Sequence, residues 1–148
     1  MQNAIARYPA YFRQGFTLIE IMVVVVILGI LAALIAPNVI GRIDEARVTA
    51  ARNDIRTIES AMQLYRMDNF RYPSTDEGID ALVNKPDDPD IKWPEGGYIP
   101  RLPRDPWNRP YLYLQPGNNG EYDLYTFGRD GEQGGEGPDS DIGNWSLN

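Results

Sequence analysis

The sequence predicts an α+β fold: a long N-terminal helix, membrane-spanning in its first half, packed by its second half on a small C-terminal domain with a short antiparallel sheet. Three observations carry this. Residues 16–36 form an almost unbroken apolar run, residues 37–68 switch to helical amphipathic spacing, and two Tyr/Leu-rich runs flank a Pro/Gly/Asn turn near position 118. Beyond the apolar run about a hundred residues remain, enough for one small hydrophobic core.

The first segment is read from its flanks. Phe16 to Ala36 spans 21 residues, about the length a helix needs to cross the hydrocarbon core. Glu20 stands inside it, and a carboxylate at membrane depth is costly enough to mark function. Residues 1–15 carry Arg7 and Arg13 and no acid, so they contribute +2 to a net charge of −7 and leave −9 for the rest. Such an acidic body argues against nucleic acid as a partner, because phosphate binding needs a basic face. There is no Cys and no His, which removes disulfides, thiolate nucleophiles, Cys-based zinc sites and the commonest general base. No enzyme is expected.

Three readings fit residues 1–36. A secretory signal peptide would place a small-residue cleavage site after the apolar core, and Ala32-Ala33-Leu34 or Ala36-Pro37 imitates one. A plain transmembrane anchor explains everything except Glu20 and the Gly15-Phe16 junction. The third is a prepilin: Gly15-Phe16-Thr17-Leu18-Ile19-Glu20 resembles the cleavage motif of the type IV pilin and pseudopilin superfamily. That resemblance implies a pilin-like fold, a leader over residues 1–15 removed by a prepilin peptidase between Gly15 and Phe16, and N-methylation of Phe16. It also implies that Glu20 is the acid shared by that family. In an assembly, the free amine of a neighbouring Phe16 would neutralise Glu20; in a lone subunit, Glu20 would snorkel to the interface.

Gly29, Pro37 and Gly41 interrupt the helical pattern, and a kink or local unwinding is expected at Pro37. Past Gly41, Ala51, Ile55, Ile58, Met62 and Tyr65 recur at three- and four-residue spacing, with Arg52, Arg56, Glu59, Gln63 and Arg66 elsewhere. The helix is therefore expected to run to Asp68, its amphipathic half covering residues 37–68.

Residues 69–148 should form the globular domain. Residues 69–110 read as irregular chain with one short helix. Ser74-x-x-Glu77 is a capping-box pattern ahead of Ile79, Leu82 and Val83, Pro86 and Pro89 stop that helix, and Trp93 and Trp107 pin the loop by packing. Residues 111–127 read as a hairpin turning through Pro116-Gly117-Asn118-Asn119-Gly120, and residues 142–147 as a third strand.

The acidic glycine loop, 128–141, holds Asp130, Asp139 and Asp141. Calcium favours carboxylate, carbonyl and water oxygens, and glycines let a loop present its carbonyls. The spacing is not that of an EF-hand, since Gly134 fills the fifth position and no flanking helices are predicted. From spacing alone a solvated acidic turn competes with a metal site.

Tyr72-Pro73-Ser74-Thr75, Asp105-Pro106-Trp107, Gly128-Arg129-Asp130-Gly131 and Asp141-Ile142-Gly143-Asn144-Trp145 together resemble the core (major) pseudopilin family of type II secretion, general secretion pathway protein G. Asn108 and Arg129 depart from its pattern, where glycine and alanine are expected. The resemblance implies a calcium-binding loop with Ca2+ held by the side chains of Asp130 and Asp141 and by backbone carbonyls such as those of Phe127 and Asp139, a staple in place of a disulfide. It implies a structural subunit that forms a helical homopolymer, the periplasmic pseudopilus, which drives export of folded proteins across the outer membrane. Implied partners are minor pseudopilins, the prepilin peptidase, the inner-membrane assembly platform and the membrane itself. Implied localisation is the bacterial inner membrane, single-pass, with the leader cytoplasmic and the C-terminal domain periplasmic. Rival readings are a type IV pilin or minor pseudopilin, a membrane-anchored calcium-binding module that never polymerises, and a carboxylate hydrolase.

Overall fold

The computed structural model describes residues 15–147; apart from Gly15, the leader expected over residues 1–15 lies outside them. The chain divides into two compact units, Met1–Val39 and Ile40–Asn148. One helix, α1, spans Leu18–Asn69. Its assignment is continuous past Pro37, so the local unwinding expected there is not observed: a proline forfeits one backbone hydrogen bond, and neighbouring turns still close theirs.

In the first unit, Leu18–Ile35 is long and apolar enough to cross a membrane, and none of it is buried. A helix apolar all round and wholly uncovered needs lipid or other helices around it.

In the second unit, the predicted stripe is the core. Ala51, Ile55, Ile58, Met62 and Tyr65 are fully buried, joined by Ala61 one turn along. They pack with Ile79, Leu82, Ile99, Tyr111, Leu124 and Ile142. Burying a side chain of this size contributes roughly 1.5–3 kcal/mol, so this face of α1 is the floor on which the rest of the unit is built. Tyr111 ties the two together, its hydroxyl donating to Asp54 of α1 at 2.9 Å.

α1 is stopped by the next residue, Phe70, which adopts a left-handed backbone with φ 59° and donates its N–H to the Arg66 carbonyl at 2.7 Å. The capping box then forms: the Ser74 N–H donates to Glu77 at 2.6 Å and the Glu77 N–H to the Ser74 hydroxyl at 3.3 Å. It leads into a single 3-10 turn, Ile79–Leu82, shorter than an ordinary helix. Arg71 closes on the same carboxylate through two N–H donors at 2.7 and 2.8 Å. Chiefly through those bonds, Arg71 holds the Glu77 carboxyl down at about 2. Trp93 packs on the core and donates its indole N–H to the Ala81 carbonyl at 3.0 Å; Trp107 also packs there.

The sheet is three-stranded and antiparallel, in the order β1 (Leu112–Leu114), β2 (Asp123–Thr126), β3 (Ile142–Gly143). Leu112 faces Tyr125, and Thr126 faces Ile142. The third strand is shorter than the expected 142–147, for a local reason. The Asn144 side chain takes over the pairing, accepting from the Leu124 N–H at 3.0 Å and donating to the Tyr122 carbonyl at 3.2 Å. The chain then curls into a 3-10 turn, Asn144–Ser146.

Candidate functional site: the helix N-terminus and the acidic loop

At the start of α1, Glu20 already has partners. The Glu20 N–H donates to the Thr17 hydroxyl at 3.2 Å, and the Thr17 N–H donates to the Glu20 carboxylate at 3.4 Å. This is a reciprocal capping box, which satisfies backbone donors that a helix N-terminus leaves free. The helix dipole also favours an anion there. Sequence reasoning misses this role, although Thr17-x-x-Glu20 has the same spacing as Ser74-x-x-Glu77. Phe16 is 77% exposed and Gly15 has open space around it, so among the described residues nothing covers the junction.

The acidic loop is built on the end of β2. Gly128 has φ 70°, and a Cβ there would lie 2.6 Å from the Ser140 carbonyl oxygen; only glycine lets the two limbs close so tightly. Backbone bonds tie the limbs, Arg129 N–H to the Pro138 carbonyl at 2.9 Å and Asp141 N–H to the Gly134 carbonyl at 3.1 Å.

The predicted ligands divide into two kinds. Asp130 accepts the Glu132 N–H at 3.1 Å, and Asp141 accepts the Gly134 N–H at 3.0 Å. Neither carboxylate is paired with a cation among the described residues, and each keeps lone pairs for another partner. Asp139 differs. Arg129 grips its carboxylate through two donors, both at 2.8 Å, and so holds its carboxyl below the ordinary value. Its side chain is thereby committed, which leaves the main-chain carbonyl. The Phe127 and Asp139 carbonyls accept no hydrogen bond among the described residues.

Among the described residues no group of three or more His, Cys, Asp or Glu is gathered as a metal cage. A set of two carboxylates completed by carbonyls and water is what the loop offers, and that donor chemistry suits a hard divalent cation such as calcium.

Two further groups escape sequence reasoning. Asp44, on α1, is buried and accepts from Arg129 at 2.7 Å, with Arg47 at 3.9 Å. Asp105, also buried, accepts from the Trp107 and Arg109 N–H groups at 3.0 and 2.7 Å, from the Arg109 Nε at 3.3 Å and from the Thr126 hydroxyl at 2.6 Å. It thereby aims the Arg109 guanidinium at the loop, where it donates to the Gly128 carbonyl. Asp44 reads in the sequence only as a charge, since Arg129 lies 85 residues away; Asp105 belongs to a family motif, and its bond to Thr126, 21 residues on, gives no local signal.

Comparison with known proteins agrees with this architecture. Residues 38–145 match the family described as type II secretion system (T2SS), protein G, and residues 12–36 match the prokaryotic N-terminal methylation motif. The type II secretion system core protein G of Pseudomonas aeruginosa is 57% identical over 135 residues, covering 90% of this chain and 95% of that one. That of Vibrio cholerae is 52% identical, covering 90% and 92%. The crystal structure of the major pseudopilin from the type 2 secretion system of enterohaemorrhagic Escherichia coli superposes with a TM-score of 0.64 at 42% identity, covering 74% of this chain and 96% of that one. With a helix fit to anchor it in a membrane, a methylation motif at the start of that helix and a matching outer domain, this chain belongs to the type II secretion system protein G family.

Proposed function

We propose that this chain is the structural subunit of a periplasmic pseudopilus, a helical homopolymer that drives export of folded proteins through the type II secretion system. The observation that carries the proposal is the wholly uncovered apolar helix Leu18–Ile35, headed by a carboxylate and attached to a small folded domain. A stored monomer can keep that helix in lipid; a filament can bury it against copies of itself. The leader is cytoplasmic and the C-terminal domain periplasmic. A prepilin peptidase cuts between Gly15 and Phe16, and Phe16 is then N-methylated. Minor pseudopilins and the inner-membrane assembly platform complete the machine.

Glu20 has two successive partners in this proposal. In the monomer it caps its own helix through Thr17. In the filament its carboxylate meets the Phe16 amine of a neighbouring subunit, and this sets the register between subunits. Calcium belongs to the other end: Asp130 and Asp141 supply carboxylates, and Phe127 and Asp139 supply carbonyls. The cation neutralises the loop's charge and fixes its outer turn.

Glu20→Gln separates the two roles of that residue, because glutamine still completes a capping box but carries no charge. Filament yield, measured by shearing and sedimentation, should fall at least about tenfold, the effect of losing about 1.4 kcal/mol per subunit contact. Unchanged yield would remove Glu20 from assembly. Deleting the gene should abolish exoprotein secretion; loss of surface pili with intact secretion would assign the chain to a pilus instead.

A further inference from the structure

The acidic loop contains a resident cation. Arg129 makes four bonds: its backbone N–H to the Pro138 carbonyl at 2.9 Å, Nε and Nη2 to the Asp139 carboxylate at 2.8 Å each, and Nη1 to Asp44 Oδ2 at 2.7 Å. Asp139 is on the returning limb of the loop, and Asp44 is on α1. Only a planar fork with donors on both edges serves two carboxylates in this way; a lysine would bring a single point charge.

We propose that Arg129 is a metal-independent clamp that fastens the base of the acidic loop to α1, so that loss of calcium loosens the outer turn 130–137 while the base stays in place. The two levels of the loop differ in their connections. The base has the Arg129 bonds, the close approach of Gly128 to Ser140, and Arg109 donating to the Gly128 carbonyl. The outer turn has single backbone N–H contacts to the Asp130 and Asp141 carboxylates and bonds within the loop, those of Asp141 to Gly134 and of Ser140 to Gly137 among them, and none of these bonds reaches α1. Asp44 needs the clamp as much as the loop does: its side chain is 9% exposed, and its other cation, Arg47, stands at 3.9 Å. A buried carboxylate stripped of its close partner is strongly unfavourable. Arg129 also engages the Asp139 carboxylate on both oxygens, so that Asp139 would offer a metal only its main-chain carbonyl.

The clamp extends the calcium reading above, and it rests on that reading only for the outer turn. Amide exchange of the full chain in detergent micelles, with calcium and then with a chelator, tests both levels. On chelation the Glu132 and Gly134 amides should lose about tenfold or more in protection, while that of residue 129, bonded to the Pro138 carbonyl, stays within about threefold. In Arg129→Ala this base amide should also lose about tenfold once calcium is removed, and Arg129→Lys should fall between, which keeps the test available if the alanine variant folds poorly. Equal loss at base and outer turn in the unaltered chain on chelation overturns the clamp. If calcium and chelator change no amide anywhere, the calcium reading fails. The clamp is then decided by Arg129→Ala and Arg129→Lys without metal, where loss of base protection supports it and its retention overturns it.

Discussion

Two turns of this molecule have much the same composition and opposite construction. The turn between β1 and β2 and the acidic loop 128–141 are both rich in glycine and polar residues, and neither has a disulfide to close it. The first is organised by one carboxylate. Asp123, buried, accepts the Asn118 N–H at 2.8 Å, the Asn119 N–H at 3.1 Å and the Asn119 side-chain amide at 3.1 Å. The second spreads its acids: Asp130 and Asp141 face solvent with one N–H each, and Asp139 is taken by Arg129. A carboxylate whose lone pairs are filled by the chain is a structural group, whereas one left with spare lone pairs is free to take water or a cation. The same residue type thus finishes one turn and, in the calcium proposal, leaves the other to be completed by the cation.

The largest effect should come from the finished turn. Asp123→Ala strips three N–H donors of a buried acceptor and should destabilise the second unit by about 3 kcal/mol, read as a loss in thermal stability that calcium does not alter. A calcium-dependent loss would mean that the two turns are coupled, and the contrast would break. The unfinished loop should behave in the reverse sense. With calcium at a hundred times its dissociation constant, chelation should cost about 2.7 kcal/mol, and Asp130→Ala or Asp141→Ala should reproduce the loss and abolish its dependence on chelator. A melting temperature indifferent to both would return the loop to a solvated acidic turn.

A third turn lies between these extremes. Glu77 is satisfied by an arginine and a backbone N–H together, and its carboxyl is held at about 2, below the ordinary value of 4.5. Because the folded value is the lower one, this stabilisation is present above about pH 4.5 and is lost as the pH falls from there toward about 2. Arg71 is 41% exposed, so solvent screening reduces the contribution to about 1–2 kcal/mol. The melting temperature of Glu77→Gln should therefore lie below that of the unaltered chain at pH 6 and converge with it only as the pH falls to about 2. Parallel curves across that range would show that Arg71 contributes nothing through charge.

The contrast between the turns also explains what the sequence discloses. The stripe Ile55, Ile58, Met62 and Tyr65 is legible because helical periodicity is a local signal, and the hairpin is legible because its turn residues sit between two apolar runs. The family motif and the acids of the loop are legible as residue types. Their pairing is not. Asp44 reads as an ordinary solvated acid on a helix, and its partner Arg129 stands 85 residues away. Asp105 gives no sign that it will be buried among four donors. The third strand stops early because one side chain, Asn144, replaces backbone pairing, a substitution that β-propensity does not register.

The smallest effect separates backbone from side chain. The acidic loop puts glycine at its left-handed positions, 128 and 135 among them, whereas α1 is stopped by Phe70 in the same region at φ 59°. A non-glycine residue there is strained by roughly 1–2 kcal/mol, and the Phe70 side chain is 84% exposed, so little burial offsets the strain. Phe70→Gly relieves it but adds freedom to the unfolded chain. The net gain should therefore be about 0.5–1 kcal/mol, seen as a small rise in melting temperature without change in the calcium response. A fall instead would mean that the exposed ring contributes contacts worth more than the strain, and only an apolar partner for that ring, such as detergent or another subunit, could supply them.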